Sequence, residues 1–484
     1  MRNQMNVRQK AFIAYIVLIA AACTLPLVGG IFGWGSQSTE NRTMLSLPKL
    51  WQTTEDTTKL DLQYTAKLGD YYAEHFGFRQ EMVTANAVLN ESLFRRSIND
   101  KTTIGKNGWY YLNETLDNYT GAAALSERGI YRLKKTLDLM NGCAEEGNIT
   151  MLFFAAPNKN SIYPEFMPGH IRRSRQPSNL DRLTEMMWGS SYYIDMKAEL
   201  LALKESEPRE IYLKHDSHWN NLGALAAYNA MQKNLRGRIA HYDYMPVTVK
   251  ESDVTETRVA GDLTNTLYPS IPKTGVQYDL GIPQEFSSDR PLTDLMAEIS
   301  TTCQGRYYSE ICYRDSFFNA LIGINSNAFA KVRYTRAFPY DMTAARGGNY
   351  NVAVVEIAER NLPKILNQAP IMEAVKTRLP GKRGYANAEQ TCEFADNGEF
   401  LLFHGRLGDW TTLGTESDIY IELRGVDSGK SYVYEAFPIC EGNPYIDDGF
   451  SARIGKYSLP NDQYDVYLHV GDGNGTVYAK LMLG

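Results

Sequence analysis

The stretch LKHDSHWNN, residues 213–221, places an aspartate and a histidine two positions apart, next to a tryptophan. In an extended loop alternate side chains point the same way, so Asp216 can approach one imidazole nitrogen of His218. The carboxylate would fix the tautomer of the ring and stabilise its charged form, and the other nitrogen would face a nucleophile. The alternative is a structural histidine packed beside Trp219. The catalytic hypothesis therefore requires a nucleophile elsewhere in the chain.

The best candidate nucleophile is Ser316, in the stretch YRDSFFNAL at 313–321. It falls between a predicted strand end, EICY, and the apolar start of a helix. Such a turn projects the serine from the top of a sheet and directs helix N-terminal N–H groups toward an oxyanion. A serine hydroxyl is a weak acid, so it needs a base such as His218. The alternative role for this serine is that of a helix N-cap.

Further polar candidates follow the apolar run MLFFAAP at 151–157. Asn158 and Lys159 are predicted to bind an oxyanion or the substrate, together with the backbone N–H of Ser316, or else merely to terminate the strand. Asn319 and Glu356 are remoter candidates. No third protein ligand accompanies HDSH, and structural or catalytic metal sites usually need one. The sequence therefore predicts neither a metal nor a cofactor.

The elements that must position these residues alternate along the chain. Short apolar runs predict buried strands, and apolar residues spaced at three and four predict helices. The predicted strands are 151–157, 191–196, 211–214 and 351–358, and the predicted helices include 127–146 and 220–235. Strands alternating with helices indicate an α/β domain with a mostly parallel sheet. Ligands bind outside the carboxyl ends of such strands, which is where HDSHW and Ser316 are expected.

The pattern changes to strict alternation near the C-terminus, as in DIYIELR at 418–424 and YDVYLHV at 464–470. A period of two is typical of half-buried antiparallel strands. We predict a separate β-sandwich at 385–484. It is a candidate carbohydrate-binding module, because aromatic rings such as Trp410, Tyr420, Tyr434 and Tyr467 can stack on sugars or else pack in the core.

The N-terminus carries basic residues followed by an uncharged apolar segment. We predict a cytoplasmic tail at 1–10, a transmembrane anchor at 11–34, a linker at 35–52 and the α/β domain at 53–380, with the catalytic domain outside the membrane. A cleaved signal peptide is the alternative. A lipoprotein signal at Cys23 is disfavoured, because alanines precede it where a leucine is usual.

Composition limits the class of partner. The 484 residues are 43% hydrophobic and 22% charged, as in globular proteins, and the net charge of -6 argues against nucleic acid held by phosphate contacts. The six cysteines suit an exported chain. We expect two disulfides, Cys303–Cys312 and Cys392–Cys440.

Several short motifs in a fixed order resemble one family. Besides HDSHW and RDSF, they are ENRTMLSLP at 40–48, FGFRQ at 76–80, IGKNGWYYL at 104–112, APNKNSIYPEFMP at 156–168, AGDLTNTL at 260–267 and VVEIAERNL at 354–362. The chain resembles the SGNH-hydrolase-like proteins related to the alginate O-acetyltransferases, whose relatives include proteins named for a DHHW motif. Ser217 stands at the middle of that motif here, and Arg314 stands where many SGNH proteins have glycine.

The resemblance implies a circularly permuted SGNH fold and a triad of Ser316 as nucleophile, His218 as base and Asp216 as the acid that orients it. It implies O-acetylation of an exported or cell-wall polysaccharide through an acetyl-serine, with acetyl groups supplied by a polytopic membrane acyltransferase. A secreted carbohydrate acetyl-esterase and a non-catalytic glycan-binding or assembly protein remain as alternatives. An intact set of three residues argues against the last.

Overall fold

The computed structural model describes residues 7–34, 45–53, 58–408, 411, 413–440 and 448–483. Trp410 and parts of the predicted tail and linker lie outside the described residues. The α-helices in the described ranges are α1 Val7–Phe32, α2 Tyr64–His75, α3 Arg79–Phe94, α4 Leu116–Thr120, α5 Glu127–Glu146, α6 Lys159–Ile162, α7 Asn179–Met186, α8 Met196–Ser206, α9 Asn221–Arg238, α10 Asp262–Asn265, α11 Ile322–Ser326 and α12 Met342–Gly347. The 3-10 helices are Asn113–Thr115, Pro164–Phe166, Glu251–Asp253, Phe317–Leu321, Glu359–Leu366 and Lys456–Ser458.

The strands divide into an α/β set and a C-terminal set. The first set is β1 Trp51–Thr53, β2 Thr58–Leu60, β3 Thr102–Ile104, β4 Tyr110–Leu112, β5 Thr150–Ala156, β6 Thr255–Ala260, β7 Thr274–Asp279, β8 Phe286–Ser288, β9 Ile299–Cys303, β10 Ser309–Tyr313, β11 Lys331–Thr335 and β12 Val352–Ala358. The second set is β13 Lys376–Thr377, β14 Lys382–Asp396, β15 Phe400–Arg406, β16 Asp418–Gly425, β17 Ser431–Ile439, β18 Gly449–Gly455, β19 Tyr464–Asp472 and β20 Gly475–Leu483.

The central sheet has the strand order β5-β12-β10-β11-β9-β8. The first four strands run parallel, and β9 and β8 complete the sheet in antiparallel pairing. Strands β5, β10 and β12 therefore end at the same edge, and Asn158, Ser316 and Glu359 follow these ends closely in the chain. This is the edge at which ligands bind in parallel α/β sheets.

Alternate residues of β5 divide the core into two layers. Leu152 and Phe154 join a cluster that includes residues of α8 and α9, and Met151 and Phe153 join a cluster that includes residues of α5 and α7. Helices thus cover both faces of the sheet, which explains why its strands are continuous apolar runs rather than alternating ones. The predicted α/β class, with helices on both sides of a mostly parallel sheet, is confirmed.

Two predicted strands do not join the sheet. The segment at 191–196 contributes a single bridge between Tyr193 and Phe153. The segment at 211–214 turns back, and Tyr212 bridges to Trp219 within the same loop. Short apolar runs indicate burial but do not distinguish a strand from a buried loop. The backbone of Tyr192 and Ile194 bonds to Phe153 alone in β5, whereas the N–H of Leu213 bonds within its own loop, to the carbonyl of His218.

The C-terminal strands form one sheet that closes on itself. Its order is β13-β17-β16-β19-β20-β14-β15-β18, and a further pairing joins β17 to β18. The predicted two-layer sandwich is therefore a closed sheet whose inward side chains form one core cluster. Closure removes most of the unpaired strand edges. The sheet packs on α5, where Nη1 of Arg128 donates to the carbonyls of Gly414 (3.0 Å) and Ser417 (2.8 Å).

Two of the aromatic residues proposed to stack on sugars have other surroundings. Tyr420 and Tyr434 are buried, so their rings are not available to a glycan. Tyr467 is half-buried, and the guanidinium of Arg424 lies 4.4 Å from its ring centroid. Tyr434 lies in the core cluster of the closed sheet, whereas Tyr420 lies in β16, a strand that is buried on both faces although its sequence alternates.

Helix α1 contains an apolar stretch, Arg8–Gly30, that is long enough to cross a membrane. Its mean hydropathy is 2.4, and none of its most apolar window is buried against the described protein. Length and composition therefore agree with the predicted anchor at 11–34.

The predicted disulfides are wrong. Cys303, Cys312 and Cys392 carry free, buried thiols. Cys303 ends β9 and Cys312 lies in β10, with β11 between them, so roughly two strand spacings of about 4.8 Å exceed the reach of a disulfide. Cys392 lies in the core of the closed sheet, whereas Cys440 lies in the α5 cluster. There Nη1 of Arg132 lies 3.2 Å from the Cys440 sulfur.

Candidate active site

The loop that carries His218 is held closed by its own backbone. The N–H of Leu213 donates to the carbonyl of His218 (3.1 Å), and the N–H of Asn220 donates to the carbonyl of Ile211 (3.0 Å). Asn220 then caps α9, because its side chain accepts from the N–H groups of Leu222 and Gly223. The loop is thereby fixed between the β-bridge and the start of a long helix.

Asp216, His218 and Ser316 form one hydrogen-bonded chain. Oδ1 of Asp216 lies 2.6 Å from Nδ1 of His218, and Nε2 of His218 lies 2.7 Å from Oγ of Ser316. An ionised carboxylate only accepts, so Nδ1 carries the ring hydrogen and Nε2 is left to accept from the serine hydroxyl. The structure thus brings together the three residues that the sequence predicts as nucleophile, base and orienting acid.

Asp216 and His218 shift each other's pKa in opposite directions. Burial by itself raises the pKa of Asp216, but the hydrogen bond and charge of His218 outweigh it, and the pKa falls to about 2. Burial by itself lowers the pKa of His218, but the hydrogen bond and charge of Asp216 outweigh it, and the pKa is raised above its ordinary value of 6.5. The pair therefore favours an anionic aspartate and a more basic imidazole.

A second carboxylate, Asp262, lies beside this pair. Its Oδ2 is 3.7 Å from Nδ1 of His218, and its backbone N–H donates to Oδ2 of Asp216 (2.9 Å). Its own oxygens accept from the N–H (2.8 Å) and hydroxyl (2.6 Å) of Ser217. Burial, followed by the charge of Asp216, raises the pKa of Asp262. Sequence reasoning did not name Asp262 as a site residue, although it lies in the motif AGDLTNTL.

Gly261 allows this second acid to approach the loop. A Cβ added to Gly261 would overlap the backbone carbonyl of His215. Only glycine permits such contact between two backbones. The glycine of AGDLTNTL therefore brings the start of α10 against the loop that carries Asp216.

Ser316 lies at a turn between β10 and the 3-10 helix Phe317–Leu321. The carboxylate of Asp315 accepts from the N–H groups of Phe317 (2.9 Å) and Ala358 (2.7 Å), and it thereby ties the turn to the end of β12. The N–H of Asp315 donates to Oε2 of Glu356 (2.8 Å). Asp315 is thus a structural residue of the turn.

Aromatic contacts join the histidine loop to the serine turn. The indole N–H of Trp219 donates to the carbonyl of Phe317 (2.9 Å). The ring of Phe317 packs edge-on against His218, with centroids 4.8 Å apart. These contacts explain why Trp219 is buried and how the imidazole is kept at hydrogen-bond distance from the serine.

Asn158 lies at the end of β5 with an unusual side chain. Its N–H donates to Oε2 of Glu359 (2.8 Å), but both polar atoms of its buried amide have no hydrogen-bond partner among the described residues. Most buried polar groups are hydrogen-bonded, so Nδ2 of Asn158 is a donor that the other described residues leave unused. This amide can donate to a developing oxyanion, the role that the sequence predicts for Asn158.

Lys159 has a different environment from the one predicted. Its ammonium donates to the carbonyls of Leu213 (2.9 Å), Lys214 (3.1 Å) and Asp216 (2.5 Å). These acceptors match the three hydrogens of a charged lysine, although burial lowers the pKa of Lys159 to about 7. The ammonium of Lys159 thus binds the backbone of the loop. The sequence instead predicts that this side chain contacts an oxyanion or the substrate.

The two remoter candidates are engaged in the framework. Oδ1 of Asn319 accepts from Nη1 of Arg314 (2.6 Å). Glu356 is buried and accepts from the Asp315 N–H, and its burial raises the pKa well above the ordinary value. Both side chains stabilise the turn that presents the serine.

One group of side chains in the described ranges has the composition of a metal site. Ligand atoms of Asp216, His218 and Asp262 lie within 4.8 Å of one another. The nitrogen and oxygens concerned are already bonded to one another and to Ser217. The arrangement suits proton transfer through the imidazole, with the acids stabilising the charged ring.

Comparison with known families gives one match. Residues 102–291 match the SGNH hydrolase-like domain of acetyltransferase AlgX. The matched range includes Asn158, Lys159, Asp216, His218 and Asp262, and it ends before Ser316. None of the curated proteins compared with the chain matches it significantly.

The solved structures to which the chain shows similarity include three bacterial proteins. The O-acetyltransferase domain of Pseudomonas putida AlgJ is 15% identical, over 54% of this chain and 92% of that chain, with a TM-score of 0.37. Bacillus cereus PatB1 is 16% identical, over 53% of this chain and 95% of that chain, with a TM-score of 0.40. A DHHW family protein from Eubacterium siraeum is 13% identical, over 54% of this chain and 94% of that chain, with a TM-score of 0.37.

The family match confirms the resemblance that the ordered motifs predicted. It covers the loop of Asp216 and His218 and the strand end that carries Asn158. Residues 102–291 of this chain are therefore similar to the SGNH hydrolase-like domain of acetyltransferase AlgX.

Proposed function

We propose that this protein is a membrane-anchored O-acetyltransferase that acts outside the cytoplasm on an exported or cell-wall polysaccharide. The observation that carries the proposal is the hydrogen-bonded chain from Asp216 through His218 to Ser316. A serine with a base at 2.7 Å and an acid behind that base is the arrangement that activates a hydroxyl for acyl transfer.

In the first half of the reaction Nε2 of His218 takes the hydroxyl proton of Ser316. The serine oxygen attacks the carbonyl carbon of an acetyl donor, and the leaving group departs with the proton that His218 carries. The product is an acetyl-serine. Asp216, kept anionic by its low pKa, stabilises the imidazolium that forms in between.

In the second half a sugar hydroxyl replaces the leaving group. His218 removes its proton, the sugar oxygen attacks the acetyl carbonyl, and Ser316 leaves with the proton returned by His218. The sugar is now an acetyl ester, and the enzyme regains its starting form. Both halves pass through an oxyanion, so the same donors serve twice.

For the oxyanion we assign the side-chain amide of Asn158 and the backbone N–H of Ser316. The unsatisfied, buried amide of Asn158 supports the first assignment. The position of Ser316 at the start of a helical turn supports the second. Lys159 is assigned a positioning role through the carbonyls of the loop.

We assign the chemistry to the α/β domain at 53–380, and glycan binding to the C-terminal region at 385–484, through residues other than the buried rings of Tyr420 and Tyr434. Helix α1 is the single membrane anchor, and the catalytic domain lies on the outer side, beside a polytopic membrane acyltransferase that supplies acetyl groups. The apolar stretch of α1 and the basic residues before it support this placement. We assign the chain no metal and no cofactor.

A carbohydrate acetyl-esterase is the alternative within the same chemistry. The serine–histidine–aspartate arrangement serves hydrolysis equally well, because water can replace the sugar in the second half. A non-catalytic glycan-binding protein is the other alternative. Such a protein would have no need for Asp216, His218 and Ser316 to lie within hydrogen-bond distance of one another.

The test uses the full chain in detergent with an activated acetyl ester, with and without oligosaccharides. Intact-protein mass spectrometry should detect one added acetyl group, and peptide mapping should place it on Ser316. Acetylated sugar should appear when oligosaccharide is present. Ser316→Ala should abolish both, whereas Ser287→Ala, at an exposed serine of β8, should change neither.

Each alternative predicts a different result. Free acetate without acetylated sugar, at every oligosaccharide tested, would support the esterase. No acetyl-enzyme and no Ser316-dependent product would support a binding protein. An acetyl group that persists in Ser316→Ala would show that the nucleophile is another residue.

A further inference from the structure

Helix α3 has its polarity reversed relative to an ordinary surface helix. The side chains that it buries against the protein are polar or small: Gln80, Thr84 and Ala87. Its opposite face exposes Met82, Leu89 and Leu93, which are 46%, 57% and 68% exposed. A surface helix normally turns its apolar stripe inward, so this outward stripe indicates a non-aqueous neighbour.

Hydrogen bonds on the inner face fix this orientation. Oε1 of Glu91 accepts from the hydroxyl of Tyr110 (2.5 Å), and Oε2 accepts from the ammonium of Lys273 (2.6 Å). The N–H of Ser270 donates to Oγ1 of Thr84 (3.0 Å). Rotating the helix to hide its leucines would break these bonds and leave the hydroxyl of Tyr110 and the ammonium of Lys273 facing leucine side chains.

The segment before α3 also exposes large apolar side chains. The large apolar side chains that are exposed between residues 45 and 94 are Leu45, Leu47, Leu50, Trp51, Leu60, Leu62, Tyr72, Met82, Val88, Leu89, Leu93 and Phe94. Single exposed apolar residues are normal on soluble proteins, whereas this segment exposes many of them close together in the chain.

The start of this surface contacts the membrane helix. The N–H of Gly77, just before α3, donates to the carbonyl of Pro26 in α1 (2.9 Å). A Cβ on Gly77 would overlap the backbone of Gly29, and the ring of Phe78 lies 6.4 Å from that of Trp34. Helix α3 therefore begins next to the end of α1, where the anchor leaves the bilayer.

The other end of α3 is basic. Arg95 and Arg96 follow Phe94 directly, and with Lys106 they line a groove of about 1220 Å³. The acid in the lining is Glu91, whose charge is offset by Lys273. Basic residues beside an apolar helical face are the pattern of helices that bind anionic lipid surfaces.

We propose that α3 lies in the interface of the membrane that α1 spans, with Met82, Leu89 and Leu93 at the acyl boundary and Arg95 and Arg96 on anionic headgroups. This inference rests on the proposed anchor. It adds a second contact that limits rotation of the domain about α1. Helix α3 reaches the active-site loop through Tyr110, which bonds to Glu91 and whose N–H donates to the carbonyl of Lys214 (2.9 Å).

The test places a fluorophore on the full chain in lipid nanodiscs. Leu93→Cys is labelled in a Cys23→Ala background, where the thiols of Cys143, Cys303 and Cys312 are buried. Quenching by lipids that carry a nitroxide on the acyl chain then reports the depth of the label. Interfacial helices bury their apolar face roughly 5–10 Å, so we expect at least a roughly twofold loss of fluorescence.

Two controls give the result its specificity. A label at Tyr457→Cys, a position that is 89% exposed in the 3-10 helix Lys456–Ser458, should not be quenched. Arg95→Glu with Arg96→Glu should reduce quenching of the Leu93 label in discs with anionic lipid and leave it unchanged in zwitterionic discs. Equal quenching at both labelled positions would overturn the proposal, since the domain would then lie on lipid without a preferred face.

Other outcomes distinguish this inference from the anchor. A chain that alkaline carbonate extracts from membranes would contradict the anchor, and this inference with it. An integral chain whose Leu93 label is unquenched would contradict this inference alone. Cross-linking between two Leu93→Cys chains without lipid quenching would assign the face to a second copy and likewise overturn the proposal.

Discussion

The ammonium of Lys159 lies 2.5 Å from the backbone carbonyl oxygen of Asp216. The same ammonium bonds the carbonyls of Leu213 and Lys214, so one side chain from the end of β5 holds the loop that carries the acid and base. The lysine that follows the oxyanion candidate in the chain therefore acts on the acid and base through the backbone.

Replacing Lys159 should loosen this loop. Lys159→Met leaves three carbonyls without their donor, so we expect a loss of roughly 2–4 kcal/mol in the free energy of unfolding and a lower kcat with little change in KM. Denaturation and steady-state kinetics with an acetyl ester measure both. Lys134→Met removes a surface ion pair with Asp138 and should cost at most about 1 kcal/mol. Unchanged stability of Lys159→Met would refute the positioning role.

Asp216→Asn should leave the fold intact but prevent His218 from acting as the base. The amide of Asn would donate to Nδ1 of His218, so Nε2 would carry the ring hydrogen and could not accept the proton of Ser316. We expect a fall in kcat on the order of 10³–10⁴, as for loss of the orienting acid in other serine enzymes. Asp279→Asn, at an exposed aspartate of β7, serves as the matched control. Near-normal turnover in Asp216→Asn would assign the orienting role elsewhere.

Asp262 should tune the pH dependence. The base must be neutral, so the rate should rise with pH through the pKa of His218, which is raised above 6.5. The negative charge of Asp262 contributes to this raised pKa, because it favours the imidazolium. Asp262→Asn should therefore lower the pKa and move the acidic limb of the kcat/KM profile to lower pH. A profile that stays in place, or moves to higher pH, would contradict this electrostatic role.

Replacing Asn158 should lower activity without lowering stability. Its side-chain amide has no partner among the described residues, so Asn158→Ala should leave the melting temperature unchanged while kcat falls roughly 10²–10³-fold, as for loss of one oxyanion donor. Asn160 is equally buried, but its Nδ2 donates to Oγ1 of Thr115 (2.9 Å). Asn160→Ala should therefore lose roughly 1–3 kcal/mol of stability. Equal melting losses in both variants would mean that Asn158 is structural.

The thiols can be counted directly. Protein unfolded without reductant should react with a thiol reagent at Cys303, Cys312 and Cys392, because all three are free. Reductant should not change the melting temperature of the folded protein. A mass two hydrogens lower for a peptide pair that joins Cys303 to Cys312 would contradict the strand order of the central sheet.

Local sequence patterns were sufficient where one short segment decides its own structure. Helix α5 spans Glu127–Glu146, as its spacing predicted, and β12 spans Val352–Ala358 within the predicted run. The apolar runs at 191–196 and 211–214 did not become sheet strands, because burial alone does not specify a pairing partner. Similarly, closeness in sequence did not predict the distance between two cysteines that lie on different strands of the sheet.

The sequence by itself determined which segments are buried and which residues are chemically capable, namely Asp216, His218, Ser316 and Asn158. Only the tertiary structure brings them together, because Ser316 is 98 positions from His218, and the turn that carries the serine packs on the histidine loop through contacts of Phe317 with Trp219 and His218. Tertiary contacts likewise added Asp262, whose place beside the imidazole depends on the close approach of Gly261 to a distant backbone carbonyl. Chemical type is a local property of the chain, whereas distance between remote residues is a property of packing.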